Sequence, residues 1–321
     1  MIEIVRVEAP GDVPAYDDRA IDVALLDMNC GYANVGHDAI AGIVGEAARD
    51  LAPELDARDL RVRVLSYAVR DKLMVPDHGA RRHRLYLGTG GPGHLDPRRN
   101  NAHRGTEEIS EDPAWEPQLW ALFDAVAADE NAALYGVCHT FGLICRWSGV
   151  AEPVLRGPEK GGPMSGVGTN VLTPEALEHP WFARMAEFAT PHVGVPVLDS
   201  RHYDLLPTGA MRAGARPIAF EAAVSDGIAG EALTMLEIAS DSDGTPRFFA
   251  VNSHPEISDA DRIAALLERM LAAGTIDRAV YEQRSSILPV LREDRSEHRL
   301  WVGRVAFTDL VRDRLARIVR G

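Results

Sequence analysis

Cysteine is scarce: this chain of 321 residues holds three, Cys30, Cys138 and Cys145. So few thiols at irregular spacing build neither a disulfide framework nor a zinc site, and reduced thiols fit a cytoplasmic location. Clustered basic charge is missing too. Asp and Glu number 48 against 34 Lys and Arg, for a formal net charge of -14. Neutralising phosphates needs a basic face, so no nucleic-acid partner is expected. The densest basic run, Arg81-Arg82-His83-Arg84, reads as a solvated lead-in to a strand. There is no run of about eighteen apolar residues and no basic-apolar-small leader, which argues against membrane insertion and secretion. No metal and no cofactor are expected. What remains, 46% hydrophobic and 26% charged residues, is ordinary for a globular chain able to bury a full core.

Strand and helix patterns alternate along the chain. Ile21 to Met28 is an apolar run that suits a first central strand, and Asp38 begins a helical pattern. Leu60 to Tyr67 alternates charged and apolar residues, as a strand near a sheet edge with one wetter face would. Trp115 through Ala128 has apolar positions at helical spacing. Later strands are expected at Val193–Leu198, Ala219–Val224, Leu233–Ile238 and Arg247–Asn252, with a short helix from Pro180 to Phe188. Residues 151–170, rich in Gly and Pro, read as a long binding loop or hairpin. This order predicts an α/β fold with crossover helices.

Three stretches carry candidate chemistry. The first is Ala132 to Gly142, where a buried apolar run meets Cys138 and turns directly into a helix. Such a turn puts the side chain at the carboxyl edge of the sheet, close to free helix N–H groups that favour a thiolate. Alone, the residue is equally a small core hydrophobe. The second is Gly88-Thr89-Gly90-Gly91-Pro92-Gly93 after a short strand; it presents backbone N–H groups to an anion or simply reverses the chain. The polar segment His94–Pro113 behind it suits a lid. The third is His254-Pro255-Glu256 at a strand end, where an imidazole can move a proton and a carboxylate two residues on can orient it. Together they make the parts list of acyl transfer: nucleophile, oxyanion cradle, base and orienting acid.

In combination, Gly90-Gly91-Pro92-Gly93, Gly136-Val137-Cys138 and His254-Pro255-Glu256 resemble the class I glutamine amidotransferase superfamily over residues 21–257. The resemblance implies a flavodoxin-like, mostly parallel sheet with helices on both faces, and an antiparallel extension. It implies a Cys138-His254-Glu256 triad and an oxyanion hole from the N–H groups of Gly91 and His139, with Gly90 and Thr140 beside the substrate. Thr140 and Gly142 stand where that family has Gly and Gln, and Asn252-Ser253 where a Gln and an aromatic or small residue are common; these departures bear on donor identity. A second branch of the fold, the homoserine O-acyltransferases, is similar at Glu159-Lys160, Ser165-Gly166-Val167, Ser200-Arg201, Arg269 and Phe307-Thr308. That likeness implies Lys160, Ser200 and Arg201 near an acyl donor and Arg269 at an acceptor carboxylate. Asp199 stands where that branch has His, and Gly-Gly-Pro-Gly departs from it.

The expected organisation is an N-terminal arm at 1–20, a catalytic domain at 21–257 and a helical extension at 258–321. Ser258 or Asp259 caps the first helix of the extension. A second, about Phe307 to Val319, packs on the sheet or pairs with a second copy. The expected activity is hydrolysis of the glutamine side-chain amide, with any ammonia consumer on another polypeptide. The alternatives are transfer from acyl-CoA and a degenerate, non-catalytic binder.

Overall fold

Strands of five to twelve residues bury best when each face finds its own cover, and the chain arranges them in one sheet. The structure, a computed structural model, describes residues 2–79, 82–102, 109–157, 162–188, 194–223, 229–257, 259–293 and 296–321. The strands are β1 (Glu3–Val7), β2 (Ala20–Asp27), β3 (Arg61–Ala68), β4 (His83–Gly88), β5 (Ala133–Val137), β6 (Ala151–Leu155), β7 (Met164–Leu172), β8 (Gly194–Arg201), β9 (Tyr203–Pro207), β10 (Arg216–Ala222), β11 (Ala229–Ser240) and β12 (Pro246–Val251). The helices are α1 (Val35–Asp50), α2 (Ala52–Ala57), α3 (Val69–Lys72), α4 (Trp115–Ala128), α5 (His139–Ser148), α6 (Pro174–Glu178), α7 (Ala260–Ala272), α8 (Arg278–Ser285), α9 (Leu288–Leu291), α10 (Ser296–Gly303) and α11 (Asp309–Arg320).

The sheet runs β1-β3-β2-β4-β5-β12-β11-β10-β7-β8, with β9 on β11 and β6 on β9. The first six strands in this order are parallel, and the others join antiparallel. This is the expected flavodoxin-like α/β architecture with its antiparallel extension. Side chains alternate across a strand, so β2 sends Val23 and Leu25 to one face and Ala24 and Leu26 to the other. On the first face they meet Ile40 and Val44 of α1 and Leu310, Val311 and Leu315 of α11. On the second they meet Leu119 and Phe123 of α4 and Phe141 and Ile144 of α5. The apolar stripe of α11 is therefore covered within the chain. Asp259 caps α7, its Oδ1 accepting from the N–H groups of Asp261 and Arg262 at 3.0 Å each.

Several local expectations change. β3 lies next to the edge strand β1, as expected, but neither of its faces is wet: only Arg61 in it is exposed. Its charged alternation is satisfied internally: Arg63 donates to both Asp22 oxygens at 2.7 and 2.9 Å, with both side chains buried. Arg82 joins the same carboxylate at 2.6 Å and His83 is buried, so that part of the basic run is not a solvated lead-in. Within 151–170, β6 and β7 replace most of the expected loop. α1 begins three residues early because Asn34 caps it, accepting from the Gly36 N–H at 2.6 Å. Within the expected arm, Glu3–Val7 pairs parallel with β3 as the edge strand.

Candidate active site

Fully buried β5, between β4 and β12, ends at Val137. Cys138 follows at φ 48°, ψ −102°, and α5 starts at the next residue. A side-chain-bearing residue there stores strain of about 1–3 kcal/mol, which surrounding bonds must hold. They do: the Cys138 N–H donates to the Val251 carbonyl at 2.8 Å, and its own carbonyl accepts from Gly142 N–H at 3.0 Å. The thiol is thereby lifted out of the sheet onto a strained strand-to-helix elbow. Thr140, expected beside the substrate, is instead part of the elbow. It is fully buried, donates to the Thr89 carbonyl at 2.8 Å, and fills the space left by Gly88 and Gly136, whose Cβ atoms would lie 2.4 and 2.6 Å from its methyl. Gly142 makes room for Leu95, 2.4 Å from an added Cβ.

β12 delivers the imidazole. The His254 N–H donates to the Leu198 carbonyl of β8 at 2.8 Å, and its Nδ1 lies 2.9 Å from Glu256 Oε1. The ring lies beside the Cys138 sulfur across Gly90, where an added Cβ would be 3.0 Å from His254 Cε1 and 3.8 Å from Cys138 Sγ. Burial opposes charge on this ring, but Glu256 and the Cys138 sulfur outweigh it and hold the His254 pKa well above its usual value. A folded pKa raised above the unfolded value contributes stability that is fully present below about pH 6.5 and is lost as pH rises through the elevated value. The stability difference between the wild type and His254→Gln, followed by thermal unfolding, should therefore be largest near neutrality and below, and shrink in alkali.

Glu256 is buried, and it sits at the first turn of α1, where a Cβ on Gly36 would lie 2.8 Å from Oε1. Gly36→Ala should push the carboxylate off the imidazole and slow the reaction of Cys138 by roughly 10- to 100-fold, with little change in circular dichroism. An unchanged rate would remove Gly36 from the support of the site.

The glycine loop crosses in front of these groups. A Cβ on Gly90 would lie 3.0 Å from His254 Cε1 and 3.4 Å from Cys138 Cβ, and one on Gly91 would lie 2.1 Å from the Met28 carbonyl oxygen. Beneath the loop is fully buried Arg70. Its Nη1 donates to the carbonyls of Met28 and Pro92 at 2.8 and 2.7 Å, and Nε and Nη2 grip Glu111 at 2.8 and 2.7 Å. The loop is thus tied to the end of β2. The His139 N–H, the first of α5, has no intrahelical acceptor, and the Thr140 N–H donates to the Thr89 carbonyl of the loop at 3.4 Å.

A cleft of about 400 Å³ opens over this constellation, and Cys138, His254, Gly91, His139, Ser200 and Arg201 all line it. Cys138 Sγ lies 3.7 Å from the Ser200 carbonyl. Arg201 pairs with Asp199, with Asp204 at 3.2 Å and with Glu221 at 2.9 Å. Burial pushes the Asp199 carboxyl up despite that neighbour. Arg269 is exposed near the end of α7 and does not line the cleft. Lys160 lies outside the described residues. Asn34, His94, Asn100, Tyr203, Asn252 and Gln283 also line the cleft and were not among the expected site residues. Of these, His94 and Asn252 adjoin a recognised motif; the others come from distant segments without a local signal.

A second hydroxyl–imidazole–carboxylate chain, Ser66–His37–Asp38 at 2.8 and 2.9 Å, has hydrolase-like spacing but no access. Ser66 is fully buried, with Arg6 Nη1 3.3 Å from its hydroxyl. Among the described residues, no group of three His, Cys, Asp or Glu could hold a metal ion, and no helix is long and apolar enough to cross a membrane.

No family model and no curated protein matches the chain. Among solved structures it is similar to a ThuA-like protein from Bacteroides uniformis, at 10% identity over 80% of this chain and 92% of that one, with a TM-score of 0.35. A likeness of that degree carries no argument about the site, which stands on its own geometry.

Proposed function

We propose that this chain is a cysteine-dependent acyl-transfer enzyme acting on a carboxamide, with the side-chain amide of glutamine as the expected donor. The observation that carries the reading is a single imidazole, His254, bonded to Glu256 and lying across Gly90 from the Cys138 sulfur at a strained elbow. In this mechanism the Cys138 thiol gives its proton to His254 as the sulfur attacks the carbonyl carbon, forming a C–S bond and moving the π electrons onto oxygen. The N–H groups of Gly91 and His139 hold that oxyanion. His254, oriented by Glu256, gives its proton to nitrogen as the C–N bond breaks and ammonia leaves. Water, deprotonated by the same ring, then releases the acid from the thioester.

Intact-mass measurement after incubation with an electrophilic glutamine analogue tests this. One adduct, located at Cys138 and absent from Cys138→Ala, is the expected result. Acylation of Cys138 by an acyl-CoA instead would favour the acyltransferase alternative, for which the exposed position of Arg269 gives no support. No adduct with either reagent would favour a non-catalytic binder.

A further inference from the structure

We infer that Gln283, on α8 of the C-terminal extension, is a specificity-determining residue that reads the part of the acyl donor beyond its carboxamide, and that this part is uncharged and amide-bearing: glutamine within a peptide rather than the free amino acid. This rests on the acyl-transfer reading above and deepens it, since it names the donor class and gives the extension a place in the site.

α8 is a surface helix with no buried residue. Of its eight residues Gln283 alone lines the cleft, and it is exposed. Helix side chains point outward from an enclosed backbone, so a single lining residue marks one side chain reaching over the opening. The helix is held at both ends: Asp277 Oδ1 accepts from the Val280 N–H at 2.8 Å, and the Gln283 carbonyl accepts from Ser286 Oγ at 2.6 Å. The Gln283 side-chain amide has no partner among the described residues. Packing fixes where it sits. Val280 and Tyr281 of α8 pack on the same apolar cluster as Ala33, Val35 and Leu198. That cluster gathers the segments carrying Gln283, Asn34 and Ser200, and all three of these residues line the cleft.

The chemistry of this wall is neutral and two-sided. Asn34 uses Oδ1 to cap α1 and keeps Nδ2 as a donor, Ser200 offers a hydroxyl, and Gln283 offers both a donor and an acceptor. A peptide group presents a carbonyl oxygen and an N–H, which such a set can pair. Free glutamine instead carries an ammonium and a carboxylate, which on leaving water call for opposite charges. Among the described residues no Lys, Asp or Glu lines the cleft, and its one arginine, Arg201, is already held by Asp199, Asp204 and Glu221. At about 400 Å³ the cleft has room for more than the carboxamide.

The test labels Cys138 with two diazoketone reagents, the analogue of free glutamine and the same analogue acetylated on its amine and amidated at its carboxyl. Intact mass follows the labelling rate against reagent concentration. The wild type should half-saturate at a roughly 10-fold lower concentration of the capped reagent, about the worth of one hydrogen bond. Gln283→Ala should remove most of that preference by raising the concentration of capped reagent required, rather than by lowering the limiting rate, a split that general loss of structure would not produce. Glu282→Ala, at an exposed neighbour that does not line the cleft, should keep the preference. Equal half-saturation by the two reagents in the wild type, or tighter binding of the free one, overturns the inference and leaves the nucleophile standing; this result does not depend on any variant. A full preference retained in Gln283→Ala also overturns it. Failure of both reagents to label Cys138 overturns the acyl-transfer reading together with the inference.

Discussion

His254→Ala should reduce formation of the Cys138 adduct with a glutamine analogue by at least roughly 10³-fold, since the members of such a constellation act as a unit. The ring pairs with the orienting carboxylate at 2.9 Å and lies across Gly90 from the sulfur. In the proposed mechanism its removal takes away the cation that stabilises a thiolate, the proton for the leaving nitrogen, and the base for deacylation. The variant should remain folded, because the backbone N–H of residue 254 still donates to Leu198. It would leave Glu256 at the N-terminus of α1 without its imidazole, so Glu256→Gln in the same background should recover stability without recovering reaction. A loss under 10-fold would mean that His254 is not the base.

Arg70→Met should destabilise the fold by about 3–5 kcal/mol, the cost of leaving a buried carboxylate without its cation. The Arg70 and Glu111 side chains are both fully buried. Trp115 Nε1 still reaches Glu111 at 3.1 Å, but a neutral donor does not replace a guanidinium. The same change frees the carbonyls of Met28 and Pro92, and with them the glycine loop that faces Cys138. Urea denaturation measures the first effect. The double variant Arg70→Met/Glu111→Leu separates the two, since removing both charges should restore most of the stability while adduct formation at Cys138 stays slow. A destabilisation below about 1 kcal/mol would contradict the description of this pair as a buried support.

What was legible in the sequence was local. The elbow is a contiguous stretch in which an apolar strand, Cys138 and a helix start follow one another. The glycines at 90, 91 and 93 and the His-Pro-Glu turn mark places where sterics or chemistry leave few choices of residue. The supports of those stretches were not legible, because they are pairings across the fold. Arg70 and Glu111 are 41 residues apart, and the space that Gly36 leaves for Glu256 spans the whole sheet in sequence. The dry faces of β3 were missed for the same reason, since alternating charge reads as a wet face until Asp22 of the neighbouring strand is known to neutralise Arg63. Thr140 looked like a pocket residue because it replaces a glycine next to the nucleophile; its methyl instead fills the gap above Gly88 and Gly136.

The most direct measurement is site-resolved alkylation of the native protein by iodoacetamide at about pH 6, where an ordinary thiol is almost wholly protonated. The other two cysteines are internal standards. Burial raises the Cys30 thiol pKa, and Cys145 is fully buried with its thiol pushed far higher. Peptide mass mapping should find Cys138 modified well before Cys30, Cys145 untouched, and the advantage of Cys138 gone in His254→Ala. Equal modification of Cys30 and Cys138, or a Cys138 rate indifferent to His254, would contradict an activated nucleophile at this elbow.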